Sequence, residues 1–123
     1  MAADSRYAIN LQPAFAALEH IDIQPLIEAN TEPWYNQTLC RVNDAVVRLG
    51  VVEGEYHWHT HDDEDEFFYI VDGRLAIELD DRTVQLTPGQ GFTVPKGVRH
   101  RPVAPQRTVM LMVEQAGVQP TGN

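Results

Sequence analysis

The chain has 123 residues and a formal net charge of −9, with 18 Asp and Glu against 9 Lys and Arg. That length suits one domain, and the acidic balance excludes binding through a nucleic-acid backbone or an anionic membrane leaflet. The single cysteine, Cys40, excludes an intramolecular disulfide, a CxxC redox pair and a thiolate zinc site, and reads as structural.

The first ten residues, MAADSRYAIN, have neither the basic start nor the apolar stretch of a signal peptide, and no apolar run is long enough to span a bilayer. The expectation is a cytoplasmic protein. Residues 1–33 are assigned to an N-terminal arm and 34–123 to the main domain. Within the arm, Pro13 to His20 (PAFAALEH) predicts a short helix, and Ile21 to Trp34, broken by Pro25 and Pro33, predicts loose structure.

From Val42 onward the pattern is β. Strands are predicted at Ala45–Val52, Tyr56–His61, Glu66–Val71, Arg74–Leu79, Thr83–Leu86, Gly91–Val94, Arg99–Ala104 and Val109–Glu114. Asp72-Gly73 predicts a hairpin, and Asp80-Asp81, Pro88-Gly89 and Pro95-Lys96-Gly97 predict further turns. Many short strands in one small domain predict a sandwich or barrel, and the tail after Glu114 reads as coil.

Four of the five histidines, His57, His59, His61 and His100, lie in the β region. On a strand, His57, His59 and His61 share one face, with Trp58 and Thr60 on the other. Clustered imidazoles repel when charged and are costly when buried unpaired, and a divalent cation resolves both problems. Asp62-Asp63-Glu64-Asp65-Glu66 follows. By parity Glu66 shares a face with Phe68 and Ile70, while Asp62 to Asp65 stay in a solvated turn. His100 follows the rigid turn Pro95-Lys96-Gly97. Imidazoles with a carboxylate suit Fe, Mn, Ni, Cu or Zn better than Ca or Mg.

The stretch GEYHWHTHDDEDEFFYIVDG resembles the first cupin motif through His59, His61, Glu66 and Gly73. GQGFTVPKGVRHRPVA resembles the second through Gly89, Pro95, Gly97 and His100. The resemblance spans Pro33 to Asn123 and is nearest to small single-domain cupins labelled mannose-6-phosphate isomerase-like. It implies an all-β fold, the double-stranded β-helix (jelly-roll) barrel, here with a short N-terminal helical arm. It implies a divalent metal held by His59, His61, Glu66 and His100, and a homodimer, with Tyr56, Trp58 and the arm as contacts. Two positions depart from the pattern: Gly54 stands one residue nearer to His59 than usual, and Ala104 replaces a frequent Asn. An alternative register, His57, His59 and Glu64, has the same first spacing but leaves eight residues before Gly73 rather than six.

His57 is then either a polar residue of the outer barrel, or a group behind the ligands or a catalytic general acid/base. Lys96, Arg99, Arg101 and Arg107 form a basic cluster; parity turns Arg99 and Arg101 away from His100, so a charge-balancing exterior or a subunit contact is expected rather than a substrate clamp. The functional expectation is a small-molecule metalloenzyme of isomerase, lyase or dioxygenase type acting on a metal-chelating, oxygenated substrate. The alternative is a non-catalytic, metal-dependent binding or sensing module. Phe68, Phe92 and either Met110 or Met112 are expected in the pocket.

Overall fold

A computed structural model describes residues 6–123; Met1 to Ser5, the start of the segment assigned to the arm, lie outside the described residues. The strands are β1 (Ala8–Asn10), β2 (Trp34–Val42), β3 (Ala45–Glu55), β4 (Glu66–Asp72), β5 (Leu75–Leu79), β6 (Thr83–Leu86), β7 (Gly91–Val94) and β8 (His100–Gln115), with one helix, α1 (Gln24–Ala29). Pairing runs β1-β2-β3-β8-β4-β7, and β5 joins β6 to the first residues of β8. The fold is an all-β jelly roll. No helix among the described residues is long and apolar enough to cross a membrane.

β8 holds the two halves together. Its first residues pair with β5, from Leu79↔His100 to Ala76↔Val103, and its later ones lie between β3 and β4. Two strands were expected here, Arg99–Ala104 and Val109–Glu114. Instead one strand of 16 residues runs through. Its ladder to β3 skips a step between Val52↔Thr108 and Gly54↔Ala104, so Pro105, which has no N–H to give, occupies a bulge.

The barrel interior packs Trp34, Val52, Phe68, Ile70, Leu75, Ile77, Val94, Met110 and Met112. A second apolar cluster lies on the outer face, where Phe15, Ile23, Leu26 and Ile27 from the arm cover Leu39, Leu49, Val51 and Val109. β2 is therefore buried on both faces. Trp34, Asn36 and Thr38 stand opposite Val52, Gly50 and Arg48 on the inner face, and Asn43 (φ 53) makes the tight turn into β3.

The arm corrects two expectations. Pro13 to His20 is not helical: the Ala14 and Phe15 amides donate to the Thr38 and Leu39 carbonyls of β2, and Leu18 sits at φ 69. Donors given to a sheet edge are lost to a helix. The helix starts instead at Gln24, where Pro25 occupies a first-turn position that needs no N–H.

Asp72-Gly73 is not a hairpin either, because β4 pairs with β7 and β8 whereas β5 pairs with β6 and β8. It is a corner between the two halves. Gly73 has φ +88, and a Cβ there would come within 2.7 Å of the Arg107 carbonyl oxygen. The true hairpin is Asp80-Asp81, closed by Leu79 N–H donating to Arg82 O at 2.8 Å.

Candidate metal centre

His59, His61, Glu66 and His100 are all buried, and each offers one ligand atom within 4.8 Å of the others. Three pieces of backbone converge to place them. Residues 56–61 do not form the expected strand. His59 makes an isolated bridge, its N–H and C=O exchanging 3.0 Å bonds with those of His100 at the start of β8, and the Tyr56 amide donates to Pro102 O. His61 O accepts the Gly97 amide at 2.8 Å, tying the histidine segment to the Pro95-Lys96-Gly97 turn. Asp65 Oδ1 accepts the Lys96 amide at 2.9 Å, so the acidic run fastens that same turn, and Glu66 opens β4 pointing inward.

Backbone carbonyls fix two of the imidazoles. His59 Nδ1 lies 2.9 Å from His57 O, and His100 Nδ1 lies 2.9 Å from Val98 O. A carbonyl only accepts, so in both rings Nδ1 carries a hydrogen and Nε2 is the nitrogen turned toward the cluster. His100 Nε2 lies 3.2 Å from Glu66 Oε1, and His61 Nε2 lies 3.3 Å from the same oxygen. Neither ring nitrogen of His61 has a hydrogen-bond partner among the described residues. Imidazole Nε2 atoms and a carboxylate oxygen thus face one another, an arrangement that needs a proton or a cation between them.

The electrostatics agree. Burial, reinforced by His100, lowers the His59 pKa to about 4, so the ring is neutral at pH 7. For Glu66, burial alone would raise the pKa, but contacts from His100 and His61 outweigh it and hold the group well below the carboxylate range. A buried carboxylate with three imidazoles is a donor set for a divalent transition metal, and the residues present fit such an ion.

A second buried carboxyl, unforeseen from the sequence, stands behind the first. Glu114 of β8 is directly opposite Glu66 in the ladder. Burial, with the charge of Glu66, pushes its pKa up, and Arg48 offsets part of this. Arg48 NH1 lies 3.1 Å from Glu114 Oε1 without hydrogen-bond alignment, both groups being nearly inaccessible. The signal was available: Arg48 and Glu114 break apolar strands at inward parity.

His57 lies outside the four-residue cluster. The Tyr7 hydroxyl donates to its Nδ1 at 2.8 Å and its Nε2 donates to Thr121 O at 2.7 Å. With that tail contact made, neither ring nitrogen is free to exchange a proton with a ligand. Glu64, the acid of the alternative register, is also absent from the cluster.

The cavity beside the cluster is lined by His59 and Glu66 together with Trp34, Asn36, Tyr56, Phe68, Pro102, Met110, Met112 and Pro120. Phe92 is not among them and packs against the core instead. The tail, expected as loose coil, crosses the mouth. Tyr56 Oη donates to Pro120 O at 3.1 Å, and Asn123 N donates to Thr60 O at 2.8 Å. Gly122 has φ +90, and a Cβ there would sit 2.7 Å from His59 Cβ.

The basic residues face elsewhere. Arg99 and Arg101 stack on Trp58 at 4.3 and 5.3 Å and pair with Asp80, Glu78 and Glu55. Arg107 donates to the Glu32 and Asn30 carbonyls. Tyr56 is buried, and Trp58 is partly buried with Arg99 and Arg101 stacked over its ring. The large apolar side chains exposed on the barrel are instead Val42, Tyr69, Val71 and Val113.

Residues 45–114 match the Cupin domain family, Cupin_2. The uncharacterized protein YdbB of Bacillus subtilis is 44% identical over 80 residues, which cover 64% of this chain and 71% of YdbB. A crystal structure of a cupin-2 domain containing protein from Shewanella frigidimarina is 32% identical with a TM-score of 0.73, over 77% of this chain and 93% of that one. Polyketide synthase CurC of Streptomyces cyaneus is 44% identical over 57 residues, 46% of this chain but only 35% of CurC. On the family match and the jelly-roll topology together, the chain belongs to the cupin family.

Proposed function

We propose that His59, His61, Glu66 and His100 hold a divalent transition metal and that the protein is a small-molecule metalloenzyme acting on an oxygenated, metal-chelating substrate. One observation carries the reading: two imidazole Nε2 atoms approach a single carboxylate oxygen at 3.2 and 3.3 Å. A bound metal supplies Lewis acidity toward substrate oxygens, the chemistry that isomerases, lyases and dioxygenases share.

The chain's own residues supply the rest. Carbonyls of His57 and Val98 hold two imidazoles in their ligating tautomer. Pro120 and Tyr56 close the mouth and exclude water. His57 is assigned the acid–base role with the tail lifted, when Thr121 no longer occupies its Nε2. A cavity wall whose one charged residue is the acidic Glu66, with the arginines turned outward, favours an uncharged substrate over a phosphorylated sugar. The name of the relative CurC connects it with polyketides, whose repeated carbonyls make chelating enols of this kind.

The second reading is a non-catalytic binding module. It is favoured by His57, the expected acid/base, having both ring nitrogens engaged. The test is elemental analysis of protein purified without air, wild type against Glu66→Ala and His100→Ala, followed by a turnover screen with β-diketones and hydroxyketones. Metal in the wild type, lost in both variants that still fold, supports the site. Absence of metal, with no uptake on reconstitution, overturns it. Uptake and ligand binding without turnover selects the binding module.

A further inference from the structure

Asn36 is the one polar side chain in the cavity that is neither a cluster member nor satisfied. It is 5% exposed, lines the cavity with His59 and Glu66, and its Oδ1 has no hydrogen-bond partner among the described residues. Leaving a buried amide oxygen unpaired costs stability, and β2 offers no structural reason for one. Asn36 stands opposite Gly50, whose missing side chain makes room for the methionines: a Cβ there would lie 2.8 Å from Met110 Cε. The wall beside the amide is therefore an adaptable thioether surface, faced by Trp34, Tyr56 and Phe68.

We propose that Asn36 is a substrate-recognition residue. It accepts a hydrogen bond from a hydroxyl or N–H carried by a planar, uncharged molecule whose chelating oxygens meet the metal cluster. This rests on the metal reading above and narrows its substrate class. Beyond His59 and Glu66, polar groups reach the wall from Asn36, the Trp34 indole and the Tyr56 hydroxyl, which is given to Pro120. A ligand body must accordingly be apolar and flat, with polarity at two places: at the cluster and at Asn36. The free space at the centre, about 20 Å³, holds one water molecule, and the whole hollow including its mouth is about 260 Å³. Entry therefore requires Pro120 to move aside.

The test uses two probes that differ by one hydroxyl: kojic acid, a planar hydroxypyranone chelator bearing a hydroxymethyl group, and allomaltol, which carries a methyl in its place. Each is titrated into Co²⁺-loaded protein, read by the visible cobalt spectrum, with wild type and Asn36→Leu. The wild type is expected to bind kojic acid about five- to tenfold more tightly than allomaltol, the worth of one hydrogen bond. In N36L the preference should fall below about twofold while cobalt content is unchanged. The thermal midpoint of N36L should rise, because an unpaired buried oxygen has been removed; a purely structural amide would lower it. Equal affinities in the wild type, a preference retained in N36L, or no binding of either probe overturns the assignment of Asn36. Failure to take up cobalt overturns the metal reading itself, and this inference with it.

Discussion

Glu66 and Glu114 face one another across the β4–β8 ladder, both buried, with Arg48 3.1 Å behind Glu114. The polar chemistry of the barrel thus extends one layer deeper than the four clustered side chains. Arg48 is the only cation in contact with that layer among the described residues. Removing it leaves a carboxyl pair without a counter-charge.

Arg48→Met should therefore cost about 1–3 kcal/mol in urea unfolding, the penalty for leaving a buried polar group without its partner. The double variant Arg48→Met, Glu114→Leu should recover most of that loss, because apolar replacements of both partners leave no unpaired buried polar group. If the double variant is as unstable as the single one, the pair is not an isolated unit.

Metal-free protein should lose stability on acidification through His59. The His59 pKa falls from 6.5 to about 4 on folding, so the folded state favours the neutral ring. That contribution is complete above pH 6.5 and is lost as pH falls from 6.5 towards 4. At about 1.4 kcal/mol per unit the loss approaches about 3 kcal/mol. Chemical denaturation across this window, wild type against His59→Gln, checks it: the variant should lack this part of the slope.

The two ligand registers separate by substitution. Glu66→Ala should abolish metal binding, whereas Glu64→Ala, whose carboxyl is not in the cluster, should leave metal content within about 20% of wild type. Saturating metal should stabilise wild type by about 2.7 kcal/mol at a hundredfold excess over Kd, and E66A by nothing measurable. Differential scanning fluorimetry with and without metal reads both.

Gly122 is where the tail touches the cluster most closely. Gly122→Val places a side chain at φ +90 and against His59. The tail should lift, with faster proteolysis after residue 115 and a change in global unfolding under about 1 kcal/mol. Tail cleavage as slow as in wild type would show that the segment tolerates the added side chain in place.

The four clustered residues were legible because their spacing survives any detail of local structure. β5, β6 and β7 were legible for a different reason, since turn residues bracket short apolar runs. β2 was missed because Asn36, Gln37 and Thr38, polar yet buried, erase the alternation that marks a strand. The Pro13–His20 helix failed because local propensity does not see β2 capturing the Ala14 and Phe15 amides. His57 was given the right neighbourhood by strand parity. Its partners, Tyr7 and Thr121, come from opposite ends of the described chain and leave no trace in sequence spacing.

The last residues bear on how the protein is handled. Asn123 donates its amide to Thr60 O, and its Oδ1 accepts the Asp62 amide, either side of His61. An affinity tag fused after Asn123 would thus be attached to the mouth of the metal cluster. A polyhistidine tag there would offer competing imidazoles at the very place where metal content is to be measured. Tags on the other terminus, removed before elemental analysis, keep the stoichiometry interpretable.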